Sequence, residues 1–331
     1  MKVLITGGAG FIGFHLSNYL SRQGFDVLSI DSLSDYYAKE LKNIRIENFE
    51  NSLHFLKVDL SDENQIANVF NNYDFDIVIH LAAQPGIRLG IDGMKKYTQN
   101  NLVSFSNICT HVVNKNIKLF LFASSSSVYG NSMKFPYDEN ELKLQPTSIY
   151  GATKLANEIL ARSIFTGTKT KTFGLRFFTV YGSFGRPDMS YFRLFNSALN
   201  GVPFKMFGDG SSLRDFTFVE DVVLSIEKLI ESSIKLEEGT FEILNVGGGN
   251  PISMTKLCEH ISSICGNEIK IIREKKDHQD VLKTEASFVK LEKLISYHPD
   301  TRIEIGLQKT FKWFQNKQIL SNLNNWVDSV L

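Results

Sequence analysis

A doubly wound parallel α/β sheet with a smaller mixed α/β C-terminal lobe is the fold class that this 331-residue sequence predicts. Short β-branched or aromatic runs alternate with longer stretches of helical period through the first half of the chain. Most of these runs are apolar at consecutive positions rather than at every second one, as strands covered on both faces must be. The first run ends on a cluster of glycines that opens a helical stretch, the strand-to-helix junction of such sheets.

Strands are expected at 2–6, 26–31, 53–58, 76–81, 118–124 and 171–179, and amphipathic helices at 11–22, 63–72, 94–113 and 149–163. After about residue 180 the rhythm breaks, and loops rich in Gly, Pro and Asp (182–188, 208–212, 247–251) separate shorter elements. The stretch 216–234 and a strand at 241–246 are expected to return to the large sheet. Residues 1–179, with about 216–246 returning, thus form one expected domain, and 180–215 with 247–331 the other.

Lysine and arginine number 36 and aspartate and glutamate 36, so no net charge draws the chain to nucleic acid or an anionic membrane. With 43% apolar and 22% charged residues, the chain is too hydrophobic to stay disordered and long enough to bury a large core. Cys109, Cys258 and Cys265 are odd in number and lack metal-ligand spacing, so reduced thiols and no metal site are expected. Residues 3–5 are apolar but meet glycine at once, which is no secretory signal, and no uncharged apolar run reaches membrane-spanning length. The expectation is a soluble cytoplasmic protein with neither nucleic acid nor membrane as partner.

Gly7, Gly10 and Gly13 form a G-x-x-G-x-x-G variant of the dinucleotide fingerprint. Glycine permits the tight turn, the close approach of a pyrophosphate and close helix–sheet packing. Phe11 and Ile12 then open a helix whose unpaired N–H groups suit a phosphate. A glycine trio alone fits any tight strand-to-helix turn. Here the second strand also ends on Asp31, a carboxylate that accepts from an adenosine ribose 2′-hydroxyl and repels a 2′-phosphate, so NAD is favoured over NADP. Asp59 and Leu60, closing the third strand, are candidates to meet the adenine, the alternative for Asp59 being the cap of a turn.

Of the 11 tyrosines only Tyr150 has a lysine four residues on, Lys154, and on a helix the two share a face. A cation there, beside the positive nicotinamide, is expected to lower the phenol from about 10 toward neutrality. The phenolate then takes a proton from a sugar hydroxyl as hydride leaves the same carbon. The alternative is an exposed Tyr–Lys neighbour pair. The run Ser124-Ser125-Ser126-Ser127 equally suits a polar loop or a helix cap, but it sits at the end of the fifth strand, where such sheets bind ligands and a hydroxyl can bridge substrate oxygen and phenolate.

Glycine loop, serine strand-end and Y-x-x-x-K, in that order, resemble the extended short-chain dehydrogenase/reductase family over nearly the whole chain. The resemblance implies a Rossmann sheet, bound NAD, a nucleotide-sugar substrate and a homodimer joined through helices near 94–113 and 149–163. Counting back from Val128-Tyr129-Gly130, it puts Ser125 at the family's catalytic Ser/Thr position. The family's dehydratases follow that residue with Asp-Glu, and its uronate decarboxylases place Glu at the second of those positions. Ser126 and Ser127 stand there, which leaves epimerisation.

Leu175-Arg176-Phe177-Phe178-Thr179-Val180-Tyr181-Gly182, Gly185-Arg186-Pro187-Asp188-Met189 and His80-Leu81-Ala82-Ala83-Gln84-Pro85-Gly86-Ile87-Arg88 are similar to the nucleotide-uronate 4-epimerase subgroup. That likeness implies that Arg186 and Thr179 bind the sugar carboxylate and that Arg88, Ser126 and Ser127 also face the substrate. A guanidinium fork suits a carboxylate, although Arg186 can equally pair with Asp188. Arg214, in Gly208-Asp209-Gly210-Ser211-Ser212-Leu213-Arg214-Asp215-Phe216, matches the residue that contacts the nucleotide diphosphate, or else pairs with Asp209 or Asp215. The chain departs from the family at Asp277-His278-Gln279-Asp280-Val281, at Ala286-Ser287 and at Leu89-Gly90-Ile91-Asp92-Gly93.

The expected activity is NAD-dependent C4 epimerisation of a UDP-sugar, UDP-glucuronate to UDP-galacturonate, through a 4-keto intermediate. UDP-N-acetylglucosamine or UDP-glucose epimerisation, a dehydratase or net oxidoreductase, and an NAD-sensing scaffold are the alternatives. His80 is expected to be a core residue, His15 has no assigned role, and Tyr36 and Tyr37 belong to a loop that either covers the adenosine or is simply packed.

Overall fold

The computed structural model describes residues 1–87, 89–275 and 281–330. In chain order, β1 (Lys2–Thr6), α1 (Phe11–Arg22), β2 (Asp26–Asp31), α2 (Lys39–Glu47), β3 (His54–Lys57), α3 (Glu63–Asn72) and β4 (Ile77–His80) come first. Then α4 (Met94–Tyr97), a π-helical stretch Thr98–Val103 and α5 (Ser104–Asn114) run end to end into β5 (Leu119–Ser125). Next stand α6 (Ile149–Phe165), β6 (Lys171–Phe177), β7 (Thr179–Tyr181), α7 (Ser190–Asn200), β8 (Phe204–Phe207), β9 (Leu213–Phe218), α8 (Val219–Ser233) and β10 (Phe241–Val246). β11 (Pro251–Ser253), α9 (Met254–Cys265), β12 (Ile271–Glu274), α10 (Val289–Ile295), α11 (Ile303–Phe314) and α12 (Lys317–Asp328) complete the described chain.

Seven strands form one parallel sheet in the order β10-β6-β5-β4-β1-β2-β3. Consecutive apolar residues serve two cores. Val3, Ile5, Ile79 and Leu121 face the side that packs with Leu16 and Leu20 of α1, and Leu4, Val78, Phe120 and Phe122 face the side of Phe70, Phe105 and Phe165. Each such fully buried side chain contributes roughly 1.5–3 kcal/mol, which is why the strands carry no polar alternation. The chain runs outward from β1 to β3 and then crosses back to β4. The switch between β1 and β4 opens a crevice at the carboxyl ends of the strands.

A three-stranded sheet (β11-β9-β7) and a two-stranded parallel pair (β12-β8) lie outside the large sheet. Four details differ from the sequence expectation. The run 171–179 is two strands, because the chain leaves β6 at Phe177 and β7 pairs with β9, turning Thr179 toward the crevice. The span 94–113 contains a π-helical stretch. Helix α2 was not expected, since in KELKNIRIE the apolar spacing is too short to show a period. Of the segment 216–234, Phe216–Phe218 belong to β9 in the small sheet, while α8 lies against α1 and β10 forms an edge of the large sheet. The three cysteines are free thiols. Among the described residues, no helix is long and apolar enough to cross a membrane, and no three His, Cys, Asp or Glu side chains are grouped to hold a metal ion.

Candidate active site

The crevice holds a cleft of about 610 Å³, within the range of small-molecule sites. At one end, Gly10 caps α1 with no side-chain bond, so the helix's first N–H groups are left for a ligand. Gly7 has φ +72°, and a Cβ on it would lie 2.7 Å from Ala82 N. A Cβ on Gly13 would lie 2.2 Å from the Gly7 carbonyl oxygen, so glycine is needed for helix and loop to meet. Gly7, Gly10, Phe11, Ile12 and Gly13 all line the cleft.

Asp31, buried at the end of β2, accepts from Leu33 N (2.8 Å) through Oδ1 and leaves Oδ2 for a diol. Asp59 and Leu60 line the same end, Asp59 accepting from the amide and hydroxyl of Ser61. An uncapped helix N-terminus with a carboxylate on the neighbouring strand is the donor and acceptor set of a dinucleotide, and these residues fit NAD. Lys42 was not anticipated. Its Nζ lies 3.6 Å from Asp31 Oδ1 and donates to Ser34 Oγ, and the signal was hidden because α2 itself was.

Tyr150 stands in the first turn of α6 and Lys154 one turn later, both in the cleft. Lys154 Nζ donates to the Ala123 carbonyl (2.8 Å) and lies 5.8 Å from the Tyr150 ring centroid. Burial lowers this lysine to about 8. Burial pushes the Tyr150 phenol above its ordinary value, while the Arg186 guanidinium and the Ser125 hydroxyl pull it back. Among the protein's own charged groups, Arg186 rather than Lys154 lowers the phenol. The ammonium is turned onto a backbone carbonyl, and Arg186 is the protein cation that faces the phenol.

Ser125, Ser126 and Ser127 line the cleft, and Ser125 Oγ accepts from Ser127 N at 3.1 Å. A further turn along α6, Glu158 accepts from Ser124 Oγ and from both arms of Arg176, at 2.9 and 2.7 Å. Sequence reasoning missed this buried pair, although Tyr150, Lys154 and Glu158 share the four-residue spacing that placed the first two on one face.

At the other end stand Thr179, Arg186 and Arg214. Arg186 forks onto Asp188, Nε reaching Oδ1 at 2.9 Å, and Tyr36 OH donates to Asp188 Oδ2 at 3.3 Å. The pairing of Arg186 with Asp188 therefore forms, but inside the cleft, with the two side chains only 24% and 12% exposed. Against its burial, the Arg186 guanidinium holds the Asp188 carboxyl below the usual carboxylate range. Arg214 on β9 donates to the Leu213 carbonyl. Arg88 and the segment 277–280 lie outside the described residues. His80 is a core residue, its Nδ1 2.8 Å from Thr6 Oγ1 and its ring lowered to about 3 by burial.

A UDP-glucuronate 4-epimerase of Thermodesulfobacterium geofontis is 33% identical over 313 residues, 94% of this chain and 95% of that protein. The crystal structure of a UDP-glucuronic acid 4-epimerase from Bacillus cereus, in complex with UDP-glucuronic acid and NAD, superposes with a TM-score of 0.86 at 28% identity. It covers 95% of this chain and 99% of its own. A UDP-N-acetylglucosamine 4-epimerase from Methanobrevibacter ruminantium, in complex with UDP-N-acetylmuramic acid, gives 0.83 at 30% identity, covering 95% and 97%. The model of the NAD dependent epimerase/dehydratase family matches residues 3–247. With its glycine turn, its Asp31 and its Tyr150–Lys154 pair gathered on one crevice, the chain belongs to that NAD-dependent family.

Proposed function

We propose that the chain catalyses NAD-dependent C4 epimerisation of a UDP-sugar, and that UDP-glucuronate and UDP-galacturonate are its substrate pair. One observation carries the choice of sugar: a half-buried guanidinium, Arg186, shares the cleft with Tyr150 and Thr179. When bound, the dinucleotide supplies the hydride acceptor and donor. Tyr150 takes the proton of the C4 hydroxyl, Ser125 donates to that oxygen, and Lys154 keeps positive charge beneath the base. Arg214 meets the diphosphate about which the 4-keto sugar turns, and Ser126 and Ser127 border the hexose.

A 4-keto uronate is a β-keto acid and loses CO₂ when its carboxylate stands perpendicular to the carbonyl plane. Arg186 and Thr179 hold the carboxylate out of that geometry. The substrate carboxylate displaces Asp188 from part of the guanidinium fork, and the Tyr36 hydroxyl keeps Asp188 satisfied. Residues 180–215 and 247–331 read as the sugar-nucleotide lobe. A cytoplasmic homodimer joined through helices near 94–113 and 149–163 completes the reading, supported by the exposed apolar side chains of Met94, Val103, Ile159 and Leu160.

The test is C4 inversion followed by proton NMR with UDP-glucuronate, UDP-glucose and UDP-N-acetylglucosamine. Arg186→Ala is expected to cut kcat/KM for UDP-glucuronate about 10²-fold, the cost of unpairing a buried charge contact, and to change any residual UDP-glucose turnover far less. Preferred inversion of a neutral sugar, insensitive to Arg186, overturns the uronate assignment.

A further inference from the structure

Building on that reading of the cleft as a joint NAD and sugar-nucleotide site, whichever the sugar, we propose that Arg45 is a positioning residue. It ties the glycine loop to the loop that carries Arg186 and so sets the two halves of the site in one register. Arg45 stands on α2 with no solvent exposure and, among the described residues, no carboxylate in ion-pair range. A buried arginine without an acid is unusual. All five of its N–H donors are nevertheless used. Nη1 donates to the Ala9 carbonyl (2.8 Å) and to Tyr37 OH (2.6 Å). Nε and Nη2 both donate to the Phe184 carbonyl (3.0 and 2.8 Å), and Nη2 also to that of Gly185 (3.0 Å).

Those acceptors belong to three different loops. Ala9 lies between Gly8 and Gly10, Tyr37 in the segment before α2 that lines the cleft, and Phe184 and Gly185 directly before Arg186. The last loop is held one carbonyl at a time. Gly182 O accepts from Tyr191 OH (3.1 Å), Ser183 O from His15 Nε2 (2.8 Å), and Phe184 O and Gly185 O from Arg45. Burial lowers His15 to about 4, so the ring is neutral, and its Nε2 must carry the proton to bond a carbonyl. Phe184 has φ +54°, a left-handed conformation that a bulky residue adopts only when its surroundings impose it. At Gly185 a Cβ would lie 1.6 Å from the Tyr191 hydroxyl, so the loop has no room to relax. A rigid planar fork is the one side chain that can span three loops at fixed angles, and a lysine ammonium, with three donors on one atom, cannot.

The test compares hydrogen exchange, with and without NAD, in the purified chain and in Arg45→Lys. NAD is expected to slow exchange about tenfold at residues 182–189 as well as at 7–13 in the unsubstituted chain, and in Arg45→Lys only at 7–13. In parallel, kcat at saturating NAD is expected to fall about 10²-fold with the UDP-sugar that the chain turns over, since misplacing a binding group by about 1 Å costs that much. A purely structural arginine would lower the melting temperature while leaving NAD-dependent protection at 182–189 and kcat of the folded enzyme unchanged, and that result overturns the proposal. Should Arg45→Lys fail to fold, His15→Leu frees the Ser183 carbonyl of the same loop and leaves Arg45 in place. It is expected to weaken protection at 182–189 and lower kcat about fivefold, and unchanged values there overturn the proposal equally. Because exchange is read without turnover, absence of any UDP-sugar activity counts against the function and not against Arg45.

Discussion

At the cofactor end of the cleft the donors are backbone N–H groups at Phe11, Ile12 and Gly13, set by one turn of chain whose Gly10 N–H is tied to the Gly7 carbonyl. At the sugar end they are side chains, with Ser126, Thr179, Arg186 and Arg214 arriving from four separate segments. The first end is fixed as soon as β1 and α1 pack. The second exists only after loops far apart in sequence have been held against one another by Arg45, His15, Asp188 and Tyr36. A backbone site is rigid and ligand-general, whereas a side-chain site can be retuned to a new sugar without disturbing the cofactor.

Tyr150 stands where the two ends meet, and removing its hydroxyl separates them most completely. Tyr150→Phe is expected to lower turnover about 10³-fold, the usual weight of a positioned acid–base group, with bound NAD unchanged. Turnover by NMR and NAD content by absorbance check both halves. Loss of NAD in this variant would show that the ends are not separable at this residue.

The next largest effect lies beneath the base. Glu158 and Arg176 form a buried fork, Arg176 Nη1 donates to Tyr129 OH, and Tyr129 OH donates to Asn245 Oδ1, each at 2.8 Å. Asn245 in turn donates to the carbonyls of Tyr137 and Ser287, so the network joins α6, the sheet and the C-terminal segments. Breaking it on one side, as in Glu158→Leu, leaves a buried guanidinium uncompensated and is expected to cost about 3–5 kcal/mol. Glu158→Leu combined with Arg176→Met restores most of that stability, because two apolar side chains leave no unpaired charge. Urea unfolding of the two singles and the double measures it. A double variant as unstable as the worse single would mean that Tyr129 and Ser124, not the ion pair, dominate.

The same contrast explains how much of the molecule was legible in sequence. β1, α1 and β2 have the bounds expected, because strand runs, a glycine turn and an acid at the next strand end are local signals. Tyr150, Lys154 and the serine run were found through one helical spacing and one strand end. Arg45 and Lys42 were not, because α2 shows no apolar period and what matters about both residues is contact with distant segments: Ala9 and Phe184 for Arg45, Asp31 for Lys42. The state of Arg186 was open in sequence for a related reason. Spacing places an arginine near an aspartate, but only the fold decides whether the pair is solvated or enclosed in the cleft.

The smallest expected effect sharpens the comparison most, because it holds the stability cost equal at two places. Ser148 caps α6, its hydroxyl accepting from Gly151 N at 3.0 Å, and Ser253 caps α9, accepting from Lys256 N at 3.1 Å. Replacing either by alanine is expected to cost about 1 kcal/mol. Their consequences for turnover differ. Tyr150 lies two residues past the first cap, and a Cβ on Gly151 would lie 2.7 Å from the Ser127 carbonyl oxygen, so the capped turn sets the base against the serine run. Fraying it is expected to lower kcat several-fold in Ser148→Ala, while Ser253→Ala, at equal loss of stability, leaves kcat unchanged. Equal kcat losses in the two variants would mean that global softening, and not the placement of Tyr150, limits turnover.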